Sequence, residues 1–372
     1  LTQGMVHGRT YSDPENGRFL KPDEVDLSTP SKPIVIASGN VANISFEKMS
    51  KSKYNGVDPT TCMSKYGADA TRAHILFQAP VPDVLEWDEE KISGITRWLN
   101  RVYDHVHLTA SLPENPDGLN TGADAVSQWT PKQYLLQAAE HRDNIKKSKE
   151  ERSTENFQEL TSNGMLKSYE ADTKLWRAVQ QTIVNVNEAY STTYSLNTVV
   201  SDLMALTNLI IEHSKTYTGS TITSSSSSKI VRSATEALIQ MMAPITPVFS
   251  EECWLYLSNS GNAEELQVNT SWCEKDSIFS VPFPQPDGTL ELLVPDTQAC
   301  TVQVNGKLRF VANIPIPAAE ITTEALDKLV LQEIMKTSEG KIRFGEAKNQ
   351  IDVKKAKKII VVRNGRLINF VM

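Results

Sequence analysis

Three runs of apolar residues, spaced alternately by three and four, confine the middle of this chain to helix. Ile92, Ile95, Leu99, Val102 and Val106 form the first run, and Trp176, Val179, Ile183, Val186 and Tyr190 the second. Leu196, Val199, Leu203, Leu206 and Ile210 form the third. An α-helix turns once per 3.6 residues, so each run lines one face and leaves the other polar. Such faces must be buried against one another, and a helical bundle over residues 91–280 is expected. Thr246 followed by Pro247 marks a further helix start, threonine as cap and proline where no backbone hydrogen bond is lost. Residues 112–130, with Pro113, Pro116, Gly118 and Gly122, read as a loop, and the charged stretch 132–155 as a solvated helix. The Ser/Thr-rich tract 218–228 reads as a flexible connection without a function of its own.

Both flanks change character. Residues 1–90 read as mixed strand and loop, with the stretch 32–39 as a buried strand and several prolines excluding a long helix. Near the other end, apolar and polar residues alternate about Asn305-Gly306 and again about Asn364-Gly365. Asn-Gly tolerates the positive φ angles of a tight hairpin turn, so each pair predicts a hairpin. A helical pattern follows Thr322 and Thr323. A small α/β domain over residues 290–372 is therefore expected, after a linker containing Pro282, Pro284 and Pro286.

Charge is distributed unevenly. Residues 291–372 carry 13 Lys and Arg against 9 Asp and Glu, a local +4, while the remaining 25 against 36 give −11. The run Lys354, Lys355, Lys357, Lys358, Arg363 and Arg366 suits contact with phosphates, although lysines guarding a strand edge are the commoner reading. No stretch approaches the roughly 18 apolar residues of a membrane span, so no membrane partner is expected. Cys62, Cys253, Cys273 and Cys300 lie far apart without a CxxC pair. Reduced core thiols, and no metal site, are expected.

The sharpest chemical feature is Lys48-Met49-Ser50-Lys51-Ser52. Two lysines three positions apart, with small hydroxyl residues between and after them, can face one anion. Such a loop suits a triphosphate whose charge shifts as pyrophosphate leaves. An arbitrary Lys-x-x-Lys is more often a solvated loop; the complete five-residue string is more specific. It resembles the second signature of class I aminoacyl-tRNA synthetases. The continuation, with Asn55, Gly56, Val57, Asp58, Pro59, Tyr66, Gly67, Ala68, Asp69, Arg72, Pro80, Glu86 and Trp87, resembles the leucyl enzymes of bacterial and mitochondrial type. The stretch 4–11 is similar to the strand that precedes the insertion before that signature. Pro244, Pro247, Glu251, Glu252 and Trp254 match a bundle-helix pattern in which Val248 stands where His is usual.

The resemblance implies a multidomain α/β plus α fold. Residues 1–90 would be the end of a class I Rossmann-type catalytic domain, 91–280 a helical anticodon-binding bundle, and 290–372 a small tRNA-binding α/β domain. It implies a leucine–tRNA ligase using Mg-ATP, with leucine and tRNA(Leu) as partners, in a monomer of the mitochondrial matrix or, alternatively, the cytoplasm. Lys51 would contact the ATP phosphates and stabilise the transition state, Lys48 would assist, and the Met49 backbone would lie near adenine. Ser50 and Ser52 would shape the loop, and Asn55 and Asp58 would brace the turn after it. Trp87 and Trp254 are expected in the core; Arg72, Lys307 and Arg309 are expected as solvated charges or RNA contacts. None of the six histidines sits in an H-I-G-H context. That signature, the leucine pocket and the editing domain are expected upstream of Leu1, leaving these residues inactive alone. The alternatives are an RNA-binding or RNA-folding module derived from a synthetase, and an isoleucyl or valyl enzyme.

Overall fold

The computed structural model describes residues 4–29, 31–111, 130–140, 158–218, 225–258, 277–294, 297–317, 323–344, 356–362 and 364–372. Thr322, Cys273, Lys354, Lys355, Arg363 and the stretches 112–129, 141–157 and 219–224 lie outside the described residues. The chain forms two compact units, Leu1–Leu290 and Glu291–Met372.

The first unit opens with β1 (Val6–Ser12), β2 (Val25–Asp26), β3 (Ile34–Val35) and β4 (Asn43–Lys48). Helices α1 (Pro59–Tyr66) and α2 (Ala68–Gln78) and strand β5 (Leu85–Glu86) follow. β1 lies between β4, antiparallel to it, and β5, parallel to it, while β2 and β3 pair separately. The expected buried strand over residues 32–39 is mostly a turn. Only Ile34 and Val35 are strand; Gly39, at φ 72°, donates its N–H back to Val35 O at 2.8 Å, and Ile36 is left 62% exposed. The strand feeding the polar loop is β4, whose extended shape comes from pairing with β1. α1 and α2 also correct the strand-and-loop reading. Asp58 caps α1 by accepting the Thr61 N–H at 2.9 Å, with Pro59 at the first position, and Gly67 at φ 85° turns the chain into α2.

The bundle comprises α3 (Glu89–Ala110), α4 (131–140), α5 (Gln158–Glu188), α6 (Leu196–Thr218), α7 (Ser225–Met242) and α8 (Pro247–Ser258). α5, α6 and α7 pack on one another, α3 lies against α7 and α8, and α2 packs on α6. The predicted stripes are the buried faces: Ile92, Val102, Val106, Val179, Val186, Val199, Leu203 and Ile210 are wholly enclosed. α4 is not simply solvated, since Leu135 is fully buried and Thr130 caps the helix by accepting the Gln133 N–H. Residues 225–228 belong to α7, not to a loop. Ser227 donates to the fully buried Asp172 at 2.9 Å, Tyr134 reaches the same oxygen at 3.2 Å, and His213 Nε2 lies 2.9 Å from the other. One carboxylate thus gathers α4, α5, α6 and α7, an arrangement low dielectric makes costly to disturb.

The expected proline-rich linker is instead strapped to α5. Asn187 donates to Pro284 O at 2.9 Å, Trp176 Nε1 to Asp287 Oδ2 at 3.0 Å, and Asp287 N–H to Gln180 Oε1 at 2.9 Å. The short α9 (Thr289–Leu292) follows.

In the second unit, β6 (Thr297–Val304) and β7 (Lys307–Pro315) precede α10 (Thr323–Lys336) and α11 (Ser338–Arg343), then β8 (Lys358–Val362) and β9 (Leu367–Val371). The sheet order is β7-β6-β9-β8, with β6 and β9 parallel. Both Asn-Gly pairs form the predicted turns, with φ of 49° and 76° at Asn305 and Gly306, and 51° and 86° at Asn364 and Gly365. Cys62, Cys253 and Cys300 are buried free thiols, and burial pushes Cys253 up to about 12 and Cys300 to about 11.

Candidate active-site loop

β4 delivers Lys48 to the edge of the small sheet, opposite His7 of β1. The Met49 N–H still reaches Val6 O at 3.2 Å, and the chain then leaves the sheet at Ser50. Lys51–Lys53 make one 3₁₀ turn, closed by Tyr54 in the left-handed region at φ 54°. The Ser50 and Ser52 hydroxyls lie 3.1 Å apart, so the serines contact each other across the turn.

Asn55, 7% exposed, anchors the loop from beneath. Its Oδ1 accepts the Ser50 N–H at 2.8 Å, and its Nδ2 donates to Thr10 Oγ1 at 2.8 Å, Glu47 O at 3.0 Å and Lys48 O at 3.3 Å. The Thr10 hydroxyl passes the chain on to Gly8 O at 3.0 Å. Gly8 is required here, because a Cβ at that position would meet Asn55 O at 2.1 Å. Of the two residues expected to brace the turn after the string, Asn55 instead ties the string itself to β1 and β4, and Asp58 caps α1 through Thr61. Thr10 and Gly8, 45 and 47 positions away from Asn55, carried no sequence signal for their part in the anchor.

The lysines of the loop fall into two groups. Lys53 pairs with Glu47, and hydrogen bonds from Lys53 and then Ser45 hold the Glu47 carboxyl below its usual range. Lys53 also lies over the Phe19 ring at 5.4 Å, and Lys21 over the Tyr54 ring at 5.7 Å. Lys48 and Lys51 are exposed, and among the described residues neither pairs with a carboxylate. Two ammonium groups on a braced backbone, with the third cation already neutralised, can receive a polyanion without first breaking an ion pair. Among the described residues no three His, Cys, Asp or Glu side chains converge as a metal cluster, and no helix is long and apolar enough to cross a membrane.

The other expected residues fall in different places. Arg72 is exposed, and its Nε and Nη2 donate to Ile245 O and Pro244 O, both at 3.0 Å. Trp87 and Trp254 are only half-buried; among the described residues Trp98 and Trp176 are the buried tryptophans, and Trp98 Nε1 donates to Thr207 Oγ1 at 3.0 Å. Lys307 and Arg309 are exposed on β7.

Residues 25–88 match the family described as "tRNA synthetases class I (I, L, M and V)", and residues 172–325 match "Anticodon-binding domain of tRNA ligase". The mitochondrial leucine–tRNA ligase of Saccharomyces cerevisiae is 30% identical over 346 residues, covering 92% of this chain and 31% of that protein. A leucine–tRNA ligase of Picosynechococcus is 32% identical over 372 residues, covering 100% of this chain and 33% of that protein. The chain belongs to the class I tRNA synthetases, on the leucyl branch. It spans about one third of the length of the curated relatives it matches. As a class I synthetase, it joins the Rossmann-type catalytic end, bearing the lysine loop, to a helical anticodon-binding domain.

Proposed function

We propose that this chain supplies the phosphate loop and the tRNA-holding architecture of a leucine–tRNA ligase, which activates leucine with ATP and transfers it from leucyl-adenylate to tRNA(Leu). The observation carrying this reading is the contrast between Lys53, paired with Glu47, and the uncompensated Lys48 and Lys51 beside it. When the leucine carboxylate attacks the α-phosphate, charge grows on the departing pyrophosphate. Cations already in place stabilise that charge without reorganisation. Lys51 takes the principal role and Lys48 assists, while Met49 lies near adenine through its backbone. Magnesium enters as part of the substrate Mg-ATP.

Within this reading, residues 1–90 belong to the catalytic domain, 91–280 approach the anticodon stem and 290–372 the tRNA elbow. A surface cleft lined by Gly94, Arg97, Asn100 and Arg101 supports an RNA-facing bundle, with Arg101 held by Asn208 at 2.8 Å. The proposed protein is a monomer of the mitochondrial matrix; the similarity to yeast mitochondrial enzymes supports that compartment, and comparable similarity to cyanobacterial enzymes accords with an organelle of bacterial descent.

The decisive measurement is leucine-dependent pyrophosphate exchange by the full protein carrying these residues. Lys51→Ala should lower it about 100- to 1,000-fold, as loss of a charge-stabilising donor does; unchanged exchange, with RNA affinity retained, would point to an RNA-binding role without catalysis. Exchange supported by isoleucine or valine instead of leucine would overturn the specificity. Removing residues 291–372 should weaken tRNA binding and flatten its salt dependence.

A further inference from the structure

We propose that Asn55 is a positioning residue for adenylate formation, acting through Lys51 and Lys48 without touching substrate. This rests on the reading of the loop as a phosphate site. The buried Asn55 amide binds backbone on both sides of the bend where the chain leaves β4: Glu47 O and Lys48 O before it, Ser50 N–H after it. One planar group therefore sets the direction in which Lys48 and Lys51 depart. No other uncharged side chain of this length offers an acceptor and two donors together. Aspartate would keep the acceptor but turn an anion toward two carbonyl oxygens, and glutamine would be one methylene too long.

The anchor is itself rigid. Thr10, 1% exposed, receives the Asn55 amide and donates onward to Gly8 O, and both belong to β1, the central strand of its sheet. The absence of a side chain at Gly8 is what lets the Asn55 backbone lie so close. Cations delivered by an unbraced loop would have to be ordered during the reaction. A displacement of about 1 Å in a charged group costs on the order of 100-fold in rate.

The test is a mutant cycle on leucine-dependent pyrophosphate exchange, using the full protein. Asn55→Ala and Asn55→Asp should each lower kcat roughly 10- to 100-fold, with the KM for leucine and the affinity for tRNA unchanged. Asn55→Ala added to the Lys48→Ala/Lys51→Ala pair should be no slower than that pair alone, because the brace acts only through these two lysines. Losses that multiply, or an Asn55→Ala enzyme at wild-type rate, overturn the proposal. Should Asn55→Ala fail to fold, Thr10→Val removes only the anchoring hydroxyl and should give a smaller kcat loss with the same non-additivity; additive behaviour there is equally fatal. Lys51→Ala at the wild-type rate would remove the phosphate-loop reading and this proposal with it. A slow Lys51→Ala, with Asn55→Ala still multiplying the loss of the Lys48→Ala/Lys51→Ala pair, removes only the proposal.

Discussion

Asp69 Oδ2 accepts the Phe249 N–H at 2.6 Å across 180 positions of sequence. Phe249 is the third residue of α8, where a backbone N–H has no acceptor inside its own helix. Thr246 does not fill that need, because its hydroxyl turns to Met242 O at 3.3 Å and lies 3.2 Å from Ser250 Oγ. One turn along α2, Arg72 holds the carbonyls of Pro244 and Ile245. The helix pair that follows the lysine loop is thereby clamped to the start of α8.

Replacing Asp69 by Ala should cost about 1 kcal/mol, the value of a helix cap. Arg72→Ala should cost about 1–3 kcal/mol through two lost charged hydrogen bonds. Denaturant unfolding measures both. Because the Arg72 guanidinium is committed to carbonyls, Arg72→Ala should leave the salt dependence of RNA binding unaltered; a slope smaller by about one would reveal a phosphate contact instead.

Asp287 ties the strap at 277–290 to α5. Its carboxylate accepts Trp176 Nε1 and, at 2.8 Å, the Thr289 N–H. Asp287→Ala leaves the indole donor of a largely buried tryptophan unsatisfied, at roughly 1–3 kcal/mol. Limited proteolysis should then cut residues 277–290 faster than in the parent. Equal cutting rates would show that the strap does not depend on this residue.

His105 is 5% exposed, and burial lowers its pKa to about 4. Below the ordinary histidine value near 6.5 the unfolded chain takes up a proton that the folded one refuses. Stability from this group is therefore complete above about pH 6.5 and falls as pH drops toward 4, by up to roughly 3 kcal/mol. His105→Gln removes that component, so its stability difference from the parent should change across this window and be flat above it.

Two open glycines should respond with opposite signs. A Cβ added at Gly94, within α3, or at Gly306, in the first Asn-Gly turn, would meet no atom within 4 Å. Gly94→Ala should stabilise the bundle by up to about 1 kcal/mol through helix propensity. Gly306→Ala should destabilise the second unit by about 1–2 kcal/mol, because φ of 76° is strained for any Cβ-bearing residue. Thermal unfolding of the two variants checks both.

The helices of the bundle, the two Asn-Gly hairpins and the lysine loop were legible in the residues alone. Each is written in neighbours: a spacing of three and four, a dipeptide that accepts positive φ, a string of five. β4 was not legible as a strand, although Asn43-Ile44-Ser45-Phe46-Glu47 alternates; the pattern is short and Ile44 stays 43% exposed, so pairing with β1, His7 against Lys48, decided it. Nor was α4 recognised as packed, since a single buried Leu135 leaves no periodic pattern.

What local sequence determined is where the chain must be helical or must turn, and which side chains carry charge, since these depend on sterics and hydrophobicity within a few residues. Only the tertiary structure decided the partners of Asn55, Arg72 and Asp69. A polar side chain binds whichever backbone groups packing leaves unbonded, and Thr10, Pro244 and Phe249 are brought within reach only when the elements close on one another. The same closure separates Lys53, neutralised by Glu47, from Lys48 and Lys51, which stand open.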